Sequence, residues 1–432
     1  MRLALAVALL LLAPASARAE WTGQTLSSPH RFVDDPTVIV AGNGGALAAW
    51  RYQQGDRAGF EGAPRGPGAS GFGAPVGLVP AVSIRRPNTF VAGFEAYGAR
   101  GALLALIVPG PGDTPQARIG VRFGTVGGRF GKLHTIRRAR PYSIARASLA
   151  VNTRGDAALA WFEDRGVRTD RVYVALRRAG HGFGKPRRLA TGRIRGVATA
   201  IGERGDVLVS WDARGVLRTR FKGRRARGFR AADTIRSEPA YNAQMAPVVT
   251  PSGRAVLAWT AQFTSEGGTR GPIFFQSATR AAGARRFARA RLLESIPVRD
   301  DDGLGHVLDA VADSAGMVAI AWRGAAGVRV TRGPAPAQTV SAPGTTAVLS
   351  DLAAGPGGRL AVVWDGGVDD PASVVRAAVA DGAGAPFGPP EDVSAAGRDS
   401  RFGAAAFVGE TPLVVLSSRV GRGDPVAQAY ER

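Results

Sequence analysis

The chain alternates short apolar runs with glycine-rich polar turns, and one of the runs is written six times. "GALAAW" ends at Trp50, "GDAALAW" at Trp161, "GDVLVSW" at Trp211, "GRAVLAW" at Trp259, "GMVAIAW" at Trp322 and "GRLAVVW" at Trp364. Each run is apolar at nearly every position. A strand with one wet face alternates apolar and polar residues, whereas a strand that is dry on both faces does not. The pattern therefore predicts six strands, each buried on both sides and ending in the largest side chain available.

The residues around each run repeat as well. In one unit "ASLAVN" (147–152) is small and apolar, "TRGD" is a tight turn, "AALAWF" is the repeated strand and "EDRGVRTD" a polar loop. "RVYVALRRA" then alternates, "GHGFGK" turns and "PRRLA" closes the unit. This predicts four antiparallel strands: inner, second, third and outer. Two further units keep the pattern without the tryptophan. One runs from Thr89 to Arg138 with Leu106 in its place, and one lies at the C-terminus with Leu416. Consecutive signature positions from Trp50 to Trp364 are about 52 residues apart on average, the period of a β-propeller built from four-stranded blades. The fold class is all-β, a single propeller of eight blades, with seven as the alternative if one unit without tryptophan is irregular.

Blades diverge as they leave the axis, so a wide flat side chain at the end of each second strand can fill the gap between neighbours. The tryptophans are expected to be such wedges. The C-terminal unit supplies three strands only, and "WTGQTLSS" (21–28) resembles an outer strand. The N-terminal segment is therefore expected to close the last blade.

The first 19 residues stand apart from the repeat. Arg2, the apolar run 3–13 and Ala17-Arg18-Ala19 have the form of a secretory signal peptide, cleaved before Glu20. The domains expected are a signal peptide (1–19) and a propeller (20–432), with a secreted, extracytoplasmic location and no transmembrane anchor after cleavage. The chain has no cysteine, which excludes a disulfide framework and thiolate metal sites. Formal net charge is +22, nearly all from arginine, since only Lys132, Lys185 and Lys222 are lysines. Such a bias, with abundant Ala and Gly, fits a GC-rich coding sequence. It also fits attraction to anionic surfaces outside the cytoplasm. Nucleic acid is not an expected partner for an exported protein.

The repeat resembles that of secreted bacterial β-propellers of the sialidase-like and other loosely repeated kinds. The likeness is one of architecture. The Gly and Trp of the sialidase Asp-box S-x-D-x-G-x-T-W have loose echoes in "TRGDAALAW", but its Ser-x-Asp and Thr do not occur together. The resemblance therefore implies a fold and carries over no catalytic residue.

Strand order sorts the connections onto two faces. Inner-to-second turns are short and alike: "GNGG", "TRGD", "ERGD", "PSGR", "GPGG". The opposite face collects the loops after each signature strand and the links between blades, which are long and dissimilar. Loops on a rigid scaffold commonly carry function. The candidate ligand-binding residues are the polar ones just past the signature strands: Arg51, Tyr52, Glu163, Asp164, Asp212, Gln262, Arg323 and Asp365. A ring of this mixed character suits a glycan, a peptide or an anionic cell-envelope polymer.

Catalytic signals are sparse. His30, His134, His181 and His306 are scattered, and no G-x-S-x-G elbow, H-E-x-x-H or phosphate-binding glycine loop occurs. Asp300, Asp301 and Asp302 are adjacent and miss the spacing of an EF-hand loop. No catalytic residue, cofactor or metal site is expected. The reading is a noncatalytic binding or scaffold propeller with its ligand on the variable-loop face at the channel mouth. The alternative is a secreted propeller hydrolase or lyase acting on glycans.

Overall fold

The computed structural model describes residues 20–432 except 84–88, 110–116, 140–142, 167–168, 236–243, 265–269, 298–306, 343–346 and 367–372. The expected signal peptide and the acidic run Asp300–Asp302 with His306 lie outside the described residues.

Eight four-stranded antiparallel sheets follow one another around a ring, so the protein is an eight-bladed β-propeller. Blades 1 to 7 occupy residues 32–83, 90–139, 143–192, 194–235, 245–296, 308–339 and 348–392, each pairing its four strands in chain order. Blade 8 takes Arg398–Val408, Thr411–Val420 and Val426–Glu431 from the C-terminus and Thr22–Thr25 as its outer strand. In that closure Gly23 stands opposite Tyr430 and Thr25 opposite Gln428. A side chain at Gly23 would collide with the Tyr430 ring, whose nearest atom would lie 2.6 Å from its Cβ. The segment is further tied to blade 1, where Gln24 exchanges two hydrogen bonds with the backbone of Phe72, both of 2.8 Å.

All six signature tryptophans are at most 1% exposed. Each points toward the preceding blade. Trp161 packs on Leu103, Ala105 and Val121 of blade 2, and Trp322 on Ala258 and Phe275 of blade 5. Trp50 reaches round the ring to Leu413, Val415 and Ala429 of blade 8. Alternate residues on the same strands are alanines with almost no exposure, such as Ala46 and Ala48, which let neighbouring sheets approach closely near the axis. Leu106 and Leu416 take the wedge position in the other two boundaries and are smaller.

Inner strands carry an irregularity near the wedge level in six blades, for example between Asp34 and Thr37 and between Arg401 and Ala404. These are β-bulges, which bend the strand and re-aim side chains. Asp35 and Phe402 sit in two of them at φ of 47° and 59°.

The short turns are alike for a structural reason. A glycine at positive φ stands in each inner-to-second turn, as at Gly155 (φ 88°), where an L side chain would be strained. The turns are also stitched to one another. The Gly42 N–H donates to Gly98 O (2.8 Å), Gly98 N–H to Thr153 O (2.6 Å), and Asn152 Nδ2 to Gly202 O (3.2 Å). Arg204 donates to Ser252 O (3.2 Å), Arg254 to Gly316 O (2.7 Å) and Arg332 to Gly358 O (2.6 Å). Arg359 pairs with Glu410 at 2.9 Å. These bonds run from blade 1 to blade 8 as a belt, and the Arg65–Glu431 pair (3.0 Å) links blades 8 and 1.

Candidate functional site

The eight polar residues selected from the sequence lie at the variable-loop ends of the second strands, one strand out from the channel. Two of the side chains, Glu163 and Asp365, brace boundaries between blades. Glu163 is 2% exposed and accepts a 2.7 Å bond from Arg137 of the outer strand of blade 2, and Arg137 lies over the Tyr173 ring. Asp365 accepts from the Phe402 N–H in the bulge of blade 8 at 3.3 Å and from the Ser350 hydroxyl at 3.4 Å. Asp212 accepts the Gly215 N–H at 2.7 Å, while its Oδ2 is buried without a hydrogen-bond partner. Burial raises its pKa against that hydrogen bond and the attraction of Arg195. Asp164 is exposed and caps the Gly166 N–H at 2.8 Å. Gln262 is buried opposite Ile273, and Arg323 is half-buried, its N–H bonded to Val307 O at 3.0 Å.

Blade 1 brings more chemistry together than the others. Arg51 pairs with Asp34 at 3.0 Å, and burial raises the Asp34 pKa more than Arg51 lowers it. Tyr52, on the opposite face of the same strand, lies against the His30 ring, with centroids 4.8 Å apart. His30 Nε2 is 3.4 Å from Glu61, and burial, then the Glu61 charge, push the Tyr52 pKa up.

Beside this group a cavity of about 350 Å³ opens in the gap between blades 1 and 2. Phe60, Leu78, Phe94 and Leu104 supply its apolar wall, and Asp35 and Thr37 its polar edge. It occurs at a boundary whose wedge is Leu106 instead of tryptophan.

The channel wall holds three carboxyl groups that the strand-end reasoning missed: Glu95, Asp309 and Asp351, all on inner strands. All three are half-buried. Asp309 accepts the Leu352 N–H (3.2 Å) and Asp351 the Ala405 N–H (2.7 Å), so each ties its blade to the next. Desolvation, then repulsion from Asp351, pushes Asp309 well above the usual carboxylate range, and the two side chains are hydrogen-bonded. The same two causes raise Glu95 to about 7. The available signal was a lone acid in an otherwise small apolar strand, as in "LDAVA". Among the described residues no group of three or more His, Asp or Glu side chains is placed to hold a metal ion.

Solved structures share the architecture. The Dos1 propeller aligns over 95% of both chains at 10% identity with a TM-score of 0.51. A prolyl endopeptidase aligns over 90% of this chain, which spans about half of that enzyme (53%), at 14% identity and a TM-score of 0.47. The NanB sialidase of Streptococcus pneumoniae aligns over 94% of this chain and 69% of its own at 8% identity and a TM-score of 0.38. At such identities the likeness is one of fold. No protein-family model and no curated protein matches the chain.

Proposed function

We propose that the protein is an exported, noncatalytic binding propeller whose ligand enters on the variable-loop face, in the gap between blades 1 and 2. The observation that carries this reading is the 350 Å³ cavity at the boundary where Leu106 takes the wedge position, walled by Leu104 and Phe94 and edged by Asp35 and Thr37. A pocket with an apolar wall and a few polar groups at its edge is the usual form of a small-ligand site. Tyr52, Glu163, Asp164, Asp212, Gln262, Arg323 and Asp365 frame the same face, and a polymeric glycan or peptide would extend across them.

The test is calorimetry of the purified protein against glycans, peptides and cell-wall fragments, repeated with Leu104→Trp, a change in the cavity wall. Filling the gap should weaken a hit at least tenfold while the fold is retained. Undiminished binding to Leu104→Trp would overturn the site. Export is tested separately, by N-terminal sequencing of secreted protein, which should begin "EWTGQ".

A second reading, a glycan hydrolase or lyase, is favoured by one observation, the hydrogen-bonded Asp309–Asp351 carboxyl pair in the channel wall. Turnover of a glycan library that disappears in Asp351→Asn would support it. No turnover by the unaltered chain would remove it.

A further inference from the structure

A larger cavity lies on the opposite face. The turns of blades 3 and 4 border a cleft of about 1000 Å³ on the tight-turn side of the ring. Ten of its lining residues are Arg or Lys, one, Asp156, is acidic, and none is aromatic.

Part of this charge serves the fold. Arg177 donates to the carbonyls of Gly155 and His181 and lies over the Tyr97 ring, 4.9 Å from its centroid. Arg154 pairs with Asp156 at 2.8 Å, and Arg187 and Arg204 donate to backbone carbonyls of Arg227 and Ser252. The rest is uncompensated. Among the described residues no ion pair neutralises Arg178, Lys185, Arg224, Arg225 or Arg227. Lys222 registers the crowding: burial, then repulsion from Arg178 and Arg187, depress its pKa against the pull of Asp206.

Codon bias explains arginine but not lysine. Only three lysines occur in the chain, and two of them, Lys185 and Lys222, line this cleft. Holding so many like charges around one concavity costs free energy, which a bound anion would recover.

We propose that this cleft binds a linear polyanion whose charges are phosphate groups and which carries no bases. Guanidinium groups present paired N–H donors that match phosphate oxygens, and several such groups along one cleft match a chain better than a single small anion. A flat lipid surface cannot enter between projecting turns. Nucleic acid is disfavoured because binding of unpaired strands relies on aromatic platforms for the bases, and the cleft has none. The site is separate from the gap between blades 1 and 2, and either can fail without the other.

The probe is fluorescently labelled inorganic polyphosphate, titrated into the mature chain at 50 and 200 mM salt with anisotropy as the readout. Binding should weaken at least tenfold between the two salt concentrations. At fixed low salt it should weaken at least tenfold in the double variant Lys185→Glu/Arg225→Glu. The equal charge change Arg285→Glu/Arg286→Glu, on exposed positions of blade 5 outside the cleft, should alter it less than twofold. If charge reversal unfolds the chain, Lys185→Gln/Arg225→Gln reads the same site and should still lose at least threefold. Equal losses in the two Glu variants would show a response to net charge alone and overturn the proposal. So would absence of binding, or binding of charge-matched heparin or single-stranded DNA as tight as that of polyphosphate.

Discussion

The Trp322 indole N–H donates to the Glu294 carboxylate at 2.6 Å across the boundary between blades 5 and 6. The same carboxylate accepts from Arg329 (3.1 Å) and from the Ala325 N–H (3.0 Å). A wedge chosen for its area is thus also held by its one polar atom. Glu294→Ala should destabilise the protein by about 2 kcal/mol, since it orphans a buried donor and releases a neighbouring guanidinium. Urea denaturation checks this. Trp322→Ala should cost more, about 3–5 kcal/mol, because it also leaves a cavity.

Closure by the N-terminal strand gives a second expectation. Deleting residues 21–28 removes the outer strand of blade 8 and bares the edge of Val426–Glu431. The melting temperature should fall by several degrees or more, and light scattering should reveal association through the exposed edge. Gly23→Val should act in the same direction, because its side chain would meet the Tyr430 ring. An unchanged melting temperature in both would argue that the strand contributes nothing to the ring.

Glu163→Ala separates brace from ligand contact. It leaves Arg137 without its 2.7 Å partner beside Tyr173, and stability should fall by about 1–3 kcal/mol. If the residue also touches ligand, affinity falls in the still-folded variant. Calorimetry on samples below their melting temperature distinguishes the two.

Stability should decline as pH rises through the range set by Glu95. Its folded pKa of about 7 exceeds the ordinary value of 4.5, so between those limits the folded chain keeps a proton that the unfolded chain has released. Less proton binding in the unfolded state makes unfolding easier with each step up in pH. Asp309, raised by the same causes, adds to the decline. Glu95→Gln should be close to neutral at pH 4 and stabilising by about 1–3 kcal/mol at pH 8. Melting curves of both proteins across that range check the sign. Equal pH profiles would show that Glu95 ionises freely in the channel.

The fold was legible because it is periodic. Six repetitions of an apolar strand ending in tryptophan, two units that keep the pattern around Leu106 and Leu416, and a missing fourth strand at one end pointed to eight blades, with seven as the alternative, and to closure by the N-terminal segment; the structure has eight. Those features are local: they follow from which residues suit a doubly buried strand and a left-handed turn. The strand-end residues were legible only as positions. That Glu163 meets Arg137 and Asp365 meets the Phe402 bulge depends on which face of the second strand each occupies. It also depends on how far the neighbouring blade is rotated.

The sequence by itself determined the architecture, because burial on both faces and tight turns are properties of short segments. Tertiary structure alone decided where charge converges. Glu95, Asp309 and Asp351 come from blades 2, 6 and 7 and interact because the inner strands surround one axis. Arg178 and Arg225 lie far apart in the chain and share a cleft because adjacent blades present their turns side by side. Electrostatic energy depends on distance through space, and in a ring that distance is set by the packing of blades.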